Sequence, residues 1–255
     1  MFKRHVSALM VATGCLLLSA CSGTTQSAAA GHAPGATRSP VAPSAPQTGK
    51  ASSSSVALPK PGAAGAIPDT ARLRELVLQP GEAAGVPNGE SGIREVNPGE
   101  LTPLPQTPPP APCKAMWAEF EQRGAQAAIA QTFDSNGPAD PRVNSLASYA
   151  ATGAETAFAQ LRAAVAACPS DSANGNKVTV AYEDLDKAGF PEDTIRIRIT
   201  SIEDNPADNY VVDKIVTRVG VCIVDTSGMG KEPHPRLAEE PVLRQIERLR
   251  AGQGL

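Results

Sequence analysis

The chain has 255 residues, a formal charge of −3 at pH 7, 24 Pro, 22 Gly and only 4% aromatic side chains. A near-neutral balance excludes a protein built to neutralise a nucleic-acid backbone, which needs a strong basic excess, so no nucleic-acid partner is expected. Sparse aromatics and unevenly placed apolar residues predict one domain of ordinary size behind a long stretch with no core of its own.

Lys3 and Arg4 precede an apolar run from Ala8 to Leu18 that closes on Leu18-Ser19-Ala20-Cys21. A basic start, a short apolar run and small residues before a cleavage point form a secretory signal. The run is too short to cross the ~30 Å hydrocarbon core, which takes about 20 residues. Leu18-Ser19-Ala20-Cys21 resembles the lipobox of bacterial lipoproteins. The resemblance implies that residues 1–20 are a signal peptide removed before Cys21. It further implies that the Cys21 thiol and the new amino terminus are acylated, and that the rest is anchored on the extracytoplasmic face of the cell membrane. Two or three acyl chains, at roughly 0.8 kcal/mol per buried CH2, hold stably where one does not.

Residues 21–68 are mostly Ala, Ser, Gly, Pro and Thr, as in Pro40-Val41-Ala42-Pro43 and Ser52-Ser53-Ser54-Ser55. Such a stretch cannot bury enough apolar surface to offset the entropy of ordering it and is expected to be a disordered tether. Its root-mean-square reach is roughly 35–40 Å.

The domain is expected over 69–255. Asp69 or Thr70 caps a short helix in which Leu73, Leu76 and Val77 share one side, ended by Pro80-Gly81. Ile93 to Val96 reads as a strand followed by an Asn97-Pro98-Gly99 turn. Thr107 to Pro112 is a polyproline II run that aims Cys113 into the fold, and Ala115 to Phe120 is a short helix with the single Trp117. Ala125 to Phe133 and Ser145 to Ala151 read as strands, the first equally Ala-rich enough for helix. Phe158, Leu161, Val165 and Cys168 fall on one face of a helix opened by Thr152 or Gly153 and stopped by Pro169. Val178, Val180 and Tyr182, then Ile195, Ile197 and Ile199, alternate with polar or small residues as strands do. Tyr210 to Thr217 and Val221 to Val224 flank Gly220, either a bulge or a tight hairpin. Pro241 opens a last helix with Val242, Leu243, Ile246 and Leu249 as its apolar stripe. The expectation is an α+β fold, an antiparallel sheet with helices packed on one face.

Cys15 leaves with the signal and Cys21 is the acylation site, which leaves Cys113, Cys168 and Cys222 in an oxidising compartment. Cys168 lies on the apolar face of its helix and Cys113 where the stiff connector enters the core, so these two are expected to form the disulfide. Cys222 reads as a small buried hydrophobe within Val221-Cys222-Ile223-Val224.

Several of these pieces together resemble a known family: Leu78-Gln79-Pro80-Gly81-Glu82, the Pro-flanked Cys113, Ala167-Cys168-Pro169 and Thr217-Arg218-Val219-Gly220-Val221. They are similar to actinobacterial lipoproteins carrying a PknH-like sensor domain, as found outside the membrane on a serine/threonine kinase. The resemblance implies a cleft for an unidentified extracellular ligand and brings no catalytic residue. The kinase's domain has two disulfides, which three domain cysteines cannot reproduce.

Chemistry is thinly represented. His234 is the one domain histidine and stands between Pro233 and Pro235, which leaves a Ser or Cys nucleophile without a ready base. CxxC and HExxH are absent, and Glu183, Asp184 and Asp186, like Glu203, Asp204 and Asp208, lack EF-hand spacing. No enzyme activity, cofactor or metal is expected. Lys177, Arg196 and Arg198 are the candidate ligand-binding residues, because they alternate with their strands' apolar side chains and would form a cationic stripe suited to a carboxylate or phosphate; Lys214 or Arg218 would extend it. The expected function is a non-catalytic ligand-binding or sensor lipoprotein for a small ligand or wall component. The second reading is a structural lipoprotein that docks a partner protein, and a carboxylate hydrolase is a distant third.

Overall fold

The computed structural model describes residues 56–62, 66–98, 111–134, 141–173, 176–185, 190, 193–233 and 236–255. The signal, Cys21, most of the tether, the polyproline run up to residue 110, Asp186 and His234 lie outside the described residues. Asp69 accepts a hydrogen bond from the Arg72 backbone N–H at 2.8 Å and caps helix α1, Thr70–Leu76. Leu73, Leu76 and Val77 are fully buried, as their spacing predicts. Strand β1 is Ile93–Glu95, and helix α2 runs Ala111–Phe120, starting four residues earlier than expected. Pro112 stands in its first turn, where no intrahelical acceptor awaits a proline's missing N–H, so the proline run ends as helix.

The Ala-rich stretch is strand β2, Ala127–Asp134, because β1 and β3 (Pro141–Ser148) take its backbone groups on both sides. Helix α3, Gly153–Ala166, follows, then β4 (Ser170–Ala173), which the sequence did not announce, and β5 (Asn176–Asp184). Strands β6 (Thr194–Ile202), β7 (Tyr210–Val219) and β8 (Cys222–Lys231) precede helix α4, Glu240–Gln253. Gly220 at φ 58° and Val221 alone connect β7 to β8, with Val219 opposite Cys222, so the alternative realised is the tight hairpin. Strand β8 continues seven residues past Val224, through Thr226-Ser227-Gly228-Met229-Gly230, because β7 pairs with it as far as Lys231 and β3 as far as Gly228.

The strands form one antiparallel sheet in the order β1-β2-β3-β8-β7-β6-β5-β4. The α+β class and the antiparallel sheet are as expected. Helices on one face only is corrected: α2 and α3 pack one face, α1 and α4 the other. Ile215 joins Leu73, Leu76, Ile246 and Leu249 in one core, while its neighbour Val216 joins Met116, Phe120, Phe158 and Leu161 in a second. Side chains alternate across a strand, so consecutive apolar residues such as Ile215-Val216 and Ile223-Val224 demand cover on both faces.

Within the stretch expected as tether, residues 56–62 lie against α1 and α4. The Val56 carbonyl accepts from Arg244 Nη2 at 2.8 Å, the Lys60 carbonyl from Arg72, and the Gly62 N–H donates to the Gly252 carbonyl at 2.9 Å.

Cys113 and Cys168 form the expected disulfide, with Cα atoms 4.9 Å apart, joining α2 to the end of α3. Cys222 is a buried free thiol. Burial pushes the Cys222 thiol up to about 12 from an ordinary 9.0, and the Tyr149 hydroxyl also moves upward for the same reason. Both groups stay neutral in the fold and ionise more readily in the unfolded chain. The stability they contribute is complete below about pH 9 and is lost as pH climbs toward 12. Melts at pH 8 and pH 10.5 should differ by about 2 kcal/mol on account of Cys222 alone, a part that Cys222→Ala removes. Equal alkaline sensitivity in Cys222→Ala would assign the effect elsewhere.

Candidate functional site

The α1/α4 face of the sheet carries unusual polar content for a core. Arg244 and Arg248, one turn apart on α4, converge on the Glu82 carboxylate at 2.7 and 3.2 Å, where Arg248 is 3% and Glu82 1% exposed. Burial pushes the Arg248 pKa down and Glu82 pulls it back up. Arg248 also donates to the carbonyls of Glu75 at 2.7 Å and Leu76 at 3.3 Å, which closes the C-terminal end of α1. Beside it a buried chain of side chains runs from sheet to helix. Thr226 donates to Asn144 at 3.0 Å, Asn144 to Gln245 at 2.8 Å, and Gln245 to the Leu76 carbonyl at 2.7 Å. Two helices are thereby seated on a sheet face by groups that each have a partner, as buried polar groups require.

Where this face meets the N-terminal end of α4 it opens into a cavity of about 360 Å³. Gly81, Glu82, Ala83 and Ala84 form one side and Arg236 to Ala238, Glu240 and Pro241 the other, over Phe133, Arg142 and Thr226. Arg142 is 5% exposed. It stands opposite Gly228 in the β3/β8 register, and a Cβ on that glycine would lie 2.0 Å from Arg142 Nη1. Glycine is what gives the guanidinium its place over the strand. Gly228→Ala is expected to displace Arg142 and lower stability by about 1–3 kcal/mol, the usual cost of overpacking, read as a fall in the melting temperature; an unchanged melt would mean that Arg142 moves aside freely.

The residues expected to bind a ligand fall as follows. Lys177, Arg196 and Arg198 do share the α1/α4 face, since they pair with Ile202, Glu183 and Ala181 in one register. They do not make a stripe of open cations. Arg196 is buried, held by Glu183 and Glu239 at 3.2 Å each, and donates to the Leu237 carbonyl at 3.1 Å. Asp213, fully buried, accepts from the Leu237 N–H at 2.7 Å, while its Oδ1 has no hydrogen-bond partner among the described residues. Arg196 and Asp213 thus grip both backbone groups of Leu237, a wall of the cavity. Arg198 lies 3.9 Å from Glu232, and Lys177 is exposed about 13 Å further along β5. Lys214 and Arg218 are on the opposite face: Lys214 pairs with Asp225 at 2.7 Å and lies over the Phe120 ring, and Arg218 pairs with Asp193.

The acidic turns are taken up by ion pairs, with Glu183 meeting Arg236 at 2.7 Å, Asp184 meeting Arg162 at 3.0 Å and Asp208 meeting Lys231 at 2.6 Å. Among the described residues no group of three or more His, Cys, Asp or Glu is placed to hold a metal ion. No described helix is long and apolar enough to cross a membrane. Sequence reading missed Arg142 because a lone arginine in Pro141-Arg142-Val143-Asn144 carries no pattern; the one available signal was the pair of glycines in Gly228-Met229-Gly230.

No family model matches the chain, and no curated protein matches it in sequence. Among solved structures it is similar to the extracellular domain of PknH from Mycobacterium tuberculosis, at 12% identity over 72% of this chain and 96% of that one, with a TM-score of 0.46. A likeness of that degree carries nothing about ligand, partner or activity.

Proposed function

We propose that the chain is a membrane-anchored extracytoplasmic lipoprotein whose folded domain is a non-catalytic ligand-binding or sensor module. The cavity beside the α4 N-terminus carries the reading. It combines a recess of about 360 Å³, within the range of small-molecule sites, with apolar walls and a few placed polar groups. The Cys113–Cys168 disulfide agrees with an oxidising compartment outside the cytoplasm. The anchor rests on Leu18-Ser19-Ala20-Cys21. In this reading Arg196 serves the site by fixing its wall at Leu237, and Arg198 and Lys177 take no part.

Two measurements test it. In a lipoprotein-processing bacterium the chain should partition with membranes and incorporate a labelled fatty acid, and Cys21→Ser should abolish both. A thermal-shift screen with wall fragments, anionic sugars and lipids should yield a ligand that raises the melting temperature, through a stabilisation of about 2.7 kcal/mol at a hundredfold over its dissociation constant. Labelling that persists in Cys21→Ser sinks the anchor. A screen silent for the small ligands, together with retention of one envelope protein in a pull-down, shifts the assignment to partner docking.

A further inference from the structure

We propose that a second, smaller recess beside the cavity binds the hydroxyl groups of a neutral sugar or polyol. This site is separate from the larger cavity, and neither depends on the other. The recess measures about 80 Å³ and is bounded by Ala181 and Glu183 of β5, Arg196 and Arg198 of β6, Asp213 of β7, and Arg236. Register places it. Ala181, Arg198, Asp213, Gly228 and Arg142 are successive partners across β5, β6, β7, β8 and β3, so they stand in one row on the α1/α4 face. Asp213 is fully buried and Arg196 is 6% exposed. Each keeps one polar atom without a hydrogen-bond partner among the described residues, Oδ1 of Asp213 and Nε of Arg196. One is an acceptor and the other a donor, and polar groups buried this deeply are rarely left without partners.

Hydroxyl groups answer both needs, since each donates one hydrogen bond and accepts others, whereas an ammonium only donates and a carboxylate only accepts. The charges point the same way. Among the described residues Arg142, Arg196, Arg198 and Arg236 stand against Glu183, Asp213, Glu232 and Glu239, as many guanidinium groups as carboxylates. Arg196 meets Glu183 and Glu239 at 3.2 Å each, Arg236 meets Glu183 at 2.7 Å, and Arg198 lies 3.9 Å from Glu232. Asp213 has Arg198 opposite it on one side and Gly228 on the other, with the Arg142 guanidinium lying over that glycine. An ion entering a balanced cluster pays for its own desolvation with no opposite charge left to match it, while a neutral hydroxyl leaves the balance intact. At roughly 30 Å³ for a water-sized group, the recess admits two or three such groups. That suits two neighbouring hydroxyls of a ring, with the rest of the ring outside, against the exposed Ala181 and Arg236.

The test uses the secreted chain carrying Cys21→Ser, free of an acyl anchor, titrated with glucose, glucuronate and glucosamine. Binding is read from the backbone amide signals of Ala181 and Arg198, with Phe133 as the reporter of the larger cavity. Glucose should move the Ala181 and Arg198 signals and bind roughly tenfold tighter than either charged sugar. Asp213→Asn, which exchanges the free acceptor for an amide, should weaken glucose roughly tenfold. Ala181→Leu, a larger side chain at the exposed rim, should abolish glucose binding and leave the melting temperature unchanged. Binding of glucuronate or glucosamine as tight as that of glucose overturns the neutral class. Shifts confined to Phe133 put the sugar in the larger cavity, which overturns this site and leaves that reading standing. No shift with any of the three, or shifts that survive Ala181→Leu, mean that the recess holds only water, and the proposal falls. Should Asp213→Asn not fold, the order of the three sugars and the Ala181→Leu result still decide.

Discussion

Glu82→Gln is expected to lower the unfolding free energy by about 3–5 kcal/mol, the usual penalty for removing one partner of a buried ion pair. The carboxylate is almost wholly buried and receives Arg244 and Arg248, and it also accepts from the Gln79 backbone N–H at 2.7 Å. Gln preserves the size and an acceptor oxygen but leaves Arg248, itself buried, without a counter-charge. For a domain of this size the melting temperature should fall by about 10 °C. Glu247→Gln is the matched control: it removes a partner of the same Arg244 at 2.8 Å, but an exposed one, and should cost no more than about 1 kcal/mol. Equal effects of the two substitutions would show that burial does not set the value of these pairs.

The second large effect is expected from the disulfide. Cys113→Ala with Cys168→Ala opens a loop with a sequence separation of 55, worth about 4 kcal/mol in the chain-entropy model. Both sulfurs lie in the α2/α3 core, so the double substitution also trims packing there. Reductant should bring the unsubstituted chain to a similar melting temperature and leave the double variant unmoved. A loss below about 1 kcal/mol would mean that the α2 segment stays in place by packing alone.

Helices α1, α3 and α4 and most strands announced themselves by periodicity, because their apolar residues face one neighbour each. Leu73, Leu76 and Val77 are an example, as are Ile195, Ile197 and Ile199. The elements that escaped were those decided by pairing rather than by side chains. Strand β4 is four residues of small and polar type, aligned only by its register with β5. The second half of β8 looks like a turn, yet is a strand because β7 pairs with it to its end and β3 as far as Gly228. The helix layer was misplaced for a related reason: which helix covers which face depends on the path of the chain across the sheet, and periodicity within one element does not report that path.

The candidate site divides in the same way. Arg196 and Arg198 were legible as cations on one sheet face, and the structure places them there with Lys177. Their partners Glu183, Glu232 and Glu239 come from one neighbouring strand and from the segment before α4, so their neutralisation was invisible along the chain. The cavity needs Ala83, Leu237 and the register partners Phe133 and Arg142, which come from three separate parts of the chain.

By itself the sequence determined an α+β class, an expected export signal with an acylation motif, a disulfide pair and the apolar faces of three helices. These depend on local spacing and on the chemistry of single residue types. Only the tertiary structure decided that the sheet is covered on both faces, that Arg196 of β6 braces a wall, and that Arg142 lies buried in the recess beside the α4 N-terminus. Those outcomes depend on long-range register and on which charges meet, and side chains brought together from distant segments leave no period in the sequence.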